Sequence, residues 1–284
     1  MILELLLDAL LDSVKMLPFL FAAYWLIEYV EHRHSEGIEK ALAGGGRFGF
    51  VPGAVLGLLP QCGFSAMAAN LYASKVVTLG TLLAVFLATS DEAVPLLIAN
   101  PEHWRSLALI LGIKLAVALA AGFCIDFVFK RLIPQSVRGG YTGSSSAVDC
   151  HEHEERYGIL AAALKHTLHI FLFILLFNIA LGALVALVGE EAIGAFLAAS
   201  GPWQPVLAGL VGLIPNCVSS VLITQLYAAG QLSLGGGGAG LCTGAGVGLA
   251  VLLRANKNAK QNLFIVALLY GIGVAAGLVC SLFA

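Results

Sequence analysis

A proline, a side-chain amide and a thiol stand together in the middle of a long apolar run twice in this chain. The copies are Gly57-Leu58-Leu59-Pro60-Gln61-Cys62 and Gly212-Leu213-Ile214-Pro215-Asn216-Cys217, 155 residues apart. The same offset pairs Leu71-Tyr72-Ala73 with Leu226-Tyr227-Ala228, and Thr78-Leu79-Gly80 with Ser233-Leu234-Gly235, so the spacing points to a duplicated chain. A helix that only faces lipid gains nothing from such groups. Each copy therefore predicts a helix broken at membrane depth, where irregular backbone must be buried in protein or line a wet cavity. Arms of about 12 residues on either side of Pro60 rise about 18 Å, which suits a hairpin that enters and leaves on one side.

Composition places these breaks in a membrane. Of 284 residues, 59% are hydrophobic and 11% charged, against about 25% charged in soluble domains. Several runs reach the roughly 20 residues that a ~30 Å hydrocarbon layer requires, which predicts an all-α polytopic membrane protein. Glu4, Asp8 and Asp12 occupy the first apolar stretch without a basic leader or a small-residue cleavage site, so a removable signal peptide is not expected. A formal charge of −2 gives no reason to expect nucleic acid; the partners are the lipid bilayer and a small ion or small molecule, with a homodimer left open. Cys62, Cys124, Cys217, Cys242 and Cys280 fall in apolar runs and Cys150 in a polar loop, which suggests no disulfide framework.

The chain divides into a first half over residues 1–135, a His- and acid-rich linker over 136–156, and a second half over 157–284. Arg33, Lys40 and Arg47 mark the first loop, Lys130, Arg131, Arg138 and Arg156 the linker, and Arg254, Lys257 and Lys260 the last loop. By the positive-inside rule these are cytoplasmic, while residues 100–103 and 189–201, without Lys or Arg, face outward. That pattern works only if the Pro-broken segments are re-entrant. Each half then has three transmembrane helices plus one re-entrant hairpin, ten helical segments in all, and the halves are inverted repeats with both termini outside the plasma membrane. Folds of this kind bind substrate near the midplane, at the repeat interface.

Three groups of residues could carry chemistry. At the hairpin tips, Pro60, Gln61, Cys62 and Ser65 face Pro215, Asn216, Cys217, Ser219 and Ser220; the free carbonyls and N–H groups of broken helices add cation ligands and anion donors. Cys62 and Cys217 are soft sulfur ligands related by the repeat. The plainer alternative is that Pro, Asn and Ser kink and glue packed helices. In the crossing over residues 76–99, Ser90, Asp91 and Glu92 lie before Pro95; intramembrane carboxylates usually mark an ion or proton route. Ser90, Asp91, Glu92 and, on the next crossing, Lys114 are candidates for ion or proton coupling, and Asp91 and Glu92 also for metal binding, unless one carboxylate simply pairs with Lys114 as a structural bridge. At the cytoplasmic mouth, His32 and His34, and Cys150, His151 and His153, could hold a metal weakly or be solvated loop. His166 and His169 begin the first crossing of the second half. No Gly-x-x-x-x-Gly-Lys-Ser/Thr phosphate loop and no nucleophile-base-orienter set occurs, so an ATP-driven pump or an enzyme is not expected, nor a resident cofactor.

Leu59-Pro60-Gln61-Cys62-Gly63-Phe64, Ala88-Thr89-Ser90-Asp91-Glu92-Ala93 with Pro95, and Ile214-Pro215-Asn216-Cys217 resemble the ten-transmembrane heavy-metal exporters of arsenic or manganese type. That family is distantly similar to organoarsenical permeases. The resemblance covers nearly the whole chain and implies export of a metal or metalloid ion, which would be cargo. Two readings stand beside it. One is an exporter of a small organic anion held at the hairpin N-termini; the other is an intramembrane enzyme or sensor without translocation. The topology makes a direct prediction: Glu39→Cys and Val148→Cys label with an impermeant maleimide only from inside, and Glu190→Cys only from outside.

Overall fold

Every broken helix leaves backbone groups that something nearby must satisfy, and the described residues show where those groups go. The computed structural model describes residues 48–60, 62–90, 93–98, 101–140 and 189–282, with separate helical positions between 10 and 25 and between 164 and 183. Regular structure among them is helical, apart from one isolated bridge between Thr78 and Gly139. The helices are α1 (Phe50–Gly57), α2 (Cys62–Ala73), α3 (Leu79–Ala88), α4 (Ala93–Ile98), α5 (Trp104–Phe123) and α6 (Gln135–Arg138). They continue with α7 (Glu190–Ala199), α8 (Gln204–Gly212), α9 (Cys217–Ala228), α10 (Leu234–Thr243), α11 (Val247–Ala255) and α12 (Ala259–Ser281).

Among the described residues, four helical stretches are long and apolar enough to cross a membrane: Leu79–Ile98, Trp104–Arg131, Leu234–Ala255 and Ala259–Ser281. The first and third are the broken ones, α3 with α4 and α10 with α11, and they are buried. All ten residues of α3 are buried, as a helix apolar on every side must be. Helix α10 has the sequence LGGGGAGLCT, and each glycine costs about 1 kcal/mol of helix stability relative to alanine. Close packing holds it instead. A side chain at Gly212 of α8 would collide with the Gly240 carbonyl of α10, and one at Gly57 of α1 would lie 2.6 Å from the Val85 carbonyl of α3. Helices α5 and α12 form the outer wall and expose apolar side chains such as Leu109, Phe123, Leu263 and Val279.

The packing has the same plan in both halves. Helix α1 packs on α3 and α3 on α5, while α8 packs on α10 and α10 on α12. Across the halves, α11 packs on α2, α4 packs on α9, and α3 meets α10. Local geometry repeats too. Thr78 caps α3 by accepting from the Thr81 N–H, and Ser233 caps α10 by accepting from the Gly236 N–H. Helix α2 ends with the Val76 N–H bonded to the Leu71 carbonyl around Lys75, at φ 59°. Helix α9 ends with the Gln231 N–H bonded to the Leu226 carbonyl around Gly230, at φ 71°.

Helices α1 and α8 have 8 and 9 residues, and α2 and α9 have 12 each, so no arm crosses a ~30 Å layer alone. The two outer ends of each helix–turn–helix lie close to each other. The Phe48 ring, just before α1, lies tilted against that of Phe127 with centroids 5.4 Å apart, and Thr78, after α2, bonds to Asp126 beside it. In the second half Gln204, which begins α8, bonds to Gln231 and Ser233 beyond the end of α9.

The left-handed position beyond α9 gives a stability test. Nothing crowds a side chain at Gly230, so Gly230→Ala pays only backbone strain and should lower stability by about 1 kcal/mol.

Candidate substrate site at the paired helix breaks

The first residues of α2 and α9 are the two cysteines of the repeated motif. Their Sγ atoms lie 3.3 Å apart and both side chains are buried, so the helix–turn–helix units of the two halves meet tip to tip. The chain reaches this point by tightening and stopping. After α1 the Leu58 and Leu59 N–H groups bond three residues back, to Val55 and Leu56, and Pro60 then precludes a further helical N–H. After α8 the Ile214 N–H bonds to Val211 before Pro215, and Asn216 stands in an extended conformation as the residue before α9. Its side chain makes no capping bond. Each cysteine thus sits at the positive, N-terminal end of its own helix.

The hydroxyls around the thiols bond back to their own turns. Ser65 Oγ donates to the Cys62 carbonyl at 2.8 Å, and Ser219 Oγ donates to the Asn216 carbonyl at 2.8 Å. Asn70 Nδ2, one turn further along α2, donates to the Ala66 carbonyl at 3.2 Å. Hydroxyls whose protons are committed in this way have only lone pairs to offer an outside ligand. The break between α10 and α11 adjoins both tips: Ser220 lies near Gly244, and a Cβ on Gly248 would fall 2.7 Å from that of Ser65.

The second feature is the pair of helix breaks. Helix α3 ends at Thr89, and Ser90, buried, donates to the Ala88 carbonyl at 2.8 Å. Helix α10 ends before Gly244. Lys114, fully buried on α5, donates to the carbonyl oxygens of Thr89 and Leu241, so one ammonium joins the C-terminal ends of both broken helices. Gln61, Asp91 and Glu92 lie outside the described residues, as do His32, His34, Cys150, His151, His153, His166 and His169. A pairing of Lys114 with Asp91 or Glu92 lies outside them as well. Among the described residues no group of three or more His, Cys, Asp or Glu side chains is placed to hold a metal ion. The two thiols are therefore the soft ligands that the described part of the site contributes.

One buried carboxylate escaped the sequence reading. Asp126, at 5% exposure in the π-helical turn Cys124–Val128, accepts from Thr78 Oγ1 at 2.6 Å and from the Gly80 N–H at 3.1 Å. It satisfies the Gly80 N–H, one of the first-turn donors of α3 that have no partner within the helix. The signal was present, since Asp126 is an acid within an apolar crossing just as Asp91 is. Its counterpart at the 155-residue offset is Ser281, which donates to the Gly277 carbonyl. Nearby, Tyr72 donates to the Val137 carbonyl and the Gly140 N–H bonds to Val77, tying the start of the linker to the end of α2.

The sulfur pair makes a covalent prediction. A mild thiol oxidant such as diamide should join Cys62 to Cys217, because each sulfur needs to move little to reach the ~2.05 Å of a disulfide. With a protease site inserted in the linker, the cleaved halves should stay together on a non-reducing gel, and Cys62→Ser should release them.

Residues 1–190 match the model of a family described as "Putative, 10TM heavy-metal exporter". No curated protein and no solved structure matches the chain. The family match spans both Pro-Gln-Cys and the Thr-Ser-Asp-Glu break, the apolar spans agree with a multi-pass membrane protein, and a transporter's partners are the bilayer and a small ion. The match covers well over half of the 284 residues, and the chain belongs to this family of ten-span heavy-metal exporters.

Proposed function

We propose that the chain is a secondary exporter of a soft metal or metalloid ion, bound between Cys62 and Cys217 where two re-entrant hairpins of inverted halves meet. Three observations support the architecture. The outer ends of each helix–turn–helix lie close together, the tips touch, and the C-terminal ends of α3 and α10 both bond Lys114. Ten residues each, these half-helices rise about 15 Å apiece, together one hydrocarbon thickness. The pseudo-symmetric contacts of α4 with α9 and α11 with α2 would then let one half rock against the other around the fixed site.

The observation that carries the reading is the 3.3 Å separation of the sulfurs. With metal–sulfur bonds of about 2.3 Å, a tetrahedral ion holds two thiolates about 3.8 Å apart and a linear ion about 4.6 Å apart. A pyramidal ion with bond angles near a right angle brings them closest, which is the geometry of As(III). Harder Mn(II) or Co(II) would be drawn to Asp91 and Glu92 instead. In the As(III) case those carboxylates serve proton coupling together with Ser90, and Asn216, Ser65, Ser219 and Ser220 supply the polar surroundings. The uncapped N-terminus of α9 favours an organic anion as the second reading. Against it, Ser65 and Ser219 have already given their protons to carbonyls, so the tips offer lone pairs more than donors.

Uptake into everted vesicles tests the assignment. Cys62→Ser with Cys217→Ser should reduce uptake of a trivalent arsenical by at least about tenfold, the loss of a bidentate soft site. Asp91→Asn with Glu92→Gln should abolish its dependence on the proton gradient. Full gradient-driven arsenical uptake in both double variants would overturn the site, and uptake of an organic anion that survives loss of the thiols would favour the second reading.

A further inference from the structure

The ammonium of Lys114 stands where broken-helix transporters hold a coupling cation. Thr89 is the residue at which α3 ends and Leu241 lies in the last turn of α10, so both carbonyls that receive Lys114 belong to the negative ends of half-helices. Such ends together carry about one elementary negative charge, and in transporters of this architecture half-helix C-termini coordinate an alkali ion or proton. A buried ammonium is costly, so a bridge needed only for packing would be better made by an apolar side chain. The residue at the 155-residue offset, Leu269, shows this: it is fully buried on α12 and apolar. Lys114, on one side of the pseudo-symmetric frame, thus bonds a helix end from each half.

We propose that Lys114 is a tethered cation that takes the place of a coupling alkali-metal ion between the Thr89 and Leu241 carbonyls. Transport by this chain is then independent of sodium and potassium, and the two helix ends stay neutralised throughout the cycle. The inference rests on the transporter reading for its functional consequence and on the described geometry for its site. Removing the side chain beyond Cβ, as in Lys114→Ala, takes away the equivalent of n-propylammonium and leaves a cation-sized space between two carbonyls.

The test uses the full chain and n-propylammonium as the probe, with 1-propanol as the neutral probe of similar size. Wild-type transport in proteoliposomes should be unchanged when sodium and potassium are replaced by N-methylglucamine. Lys114→Ala should lose at least about tenfold in rate and recover with n-propylammonium but not with 1-propanol. In detergent, the melting temperature of purified Lys114→Ala should rise with n-propylammonium and not with 1-propanol, while wild type responds to neither. The melting experiment needs no transport: if wild type moves no substrate and the variant still answers to the amine, the transporter reading falls and the tethered cation stands. A wild type that requires sodium or potassium overturns the inference, as does a Lys114→Ala variant that runs at the wild-type rate unaided or answers equally to propanol. If Lys114→Ala does not fold, Lys114→Met keeps the stem's volume without the charge. It should also lose about tenfold in rate, and a Met variant at the wild-type rate overturns the inference.

Discussion

In hydrocarbon no water is present to complete a broken helix, and each unpaired amide or carbonyl costs several kcal/mol. This chain breaks its helices repeatedly, so the fold is largely an answer to where those groups find partners. Thr78 and Ser233 cap the starts of α3 and α10, and the Asp126 carboxyl accepts a further N–H at the first. Ser65 and Ser219 bond the carbonyls where α2 and α9 begin. Lys114 closes the far ends of α3 and α10. The polar groups that satisfy the backbone are therefore the same ones that give the interior its chemistry, and structural and functional roles meet at the same atoms.

The duplicated frame and the unduplicated chemistry separate cleanly. Glycines at 57 and 212 bring α1 and α8 against their partners, and the turns after α2 and α9 share their hydrogen bonds. The cysteines are duplicated as well, and they come together. Charge is not: Asp126 stands opposite Ser281, Lys114 opposite Leu269, and Thr89-Ser90 opposite Gly244-Ala245. Among the described residues the buried charged side chains, Lys114 and Asp126, both lie in the first half, while glycines of α10 bring backbones close in the second. A transporter that must release its cargo gains from such a division, because identical charged sites in both halves would hold an ion twice.

Much of this was legible in the amino-acid sequence, for physical reasons that can be named. Proline with an amide and a thiol inside an apolar run has no use facing lipid, and the 155-residue offset showed that two such places share a frame. The described break of α3 at Thr89 and the break of α10 before Gly244 fall where that reasoning put them. Other features depended on distances that a linear sequence does not contain. Lys114 read naturally as a partner for a carboxylate, yet its described partners include two carbonyls whose availability follows from the breaks themselves. Asp126 is visible in the sequence as an acid inside an apolar crossing, but only the folded chain brings it against Thr78 and Gly80 at the start of α3. Gln61, Asp91 and Glu92 are legible in the sequence alone, and their roles rest on the proposal.

The central claim is that one point between the halves receives a sulfur from each. Arsenic K-edge X-ray absorption on the purified full chain loaded with a trivalent arsenical measures this directly. The account predicts two sulfur neighbours per arsenic atom, falling to one in Cys62→Ser and likewise in Cys217→Ser. Two sulfur neighbours that persist in either single variant, or a first shell of oxygen alone in the wild type, would contradict it.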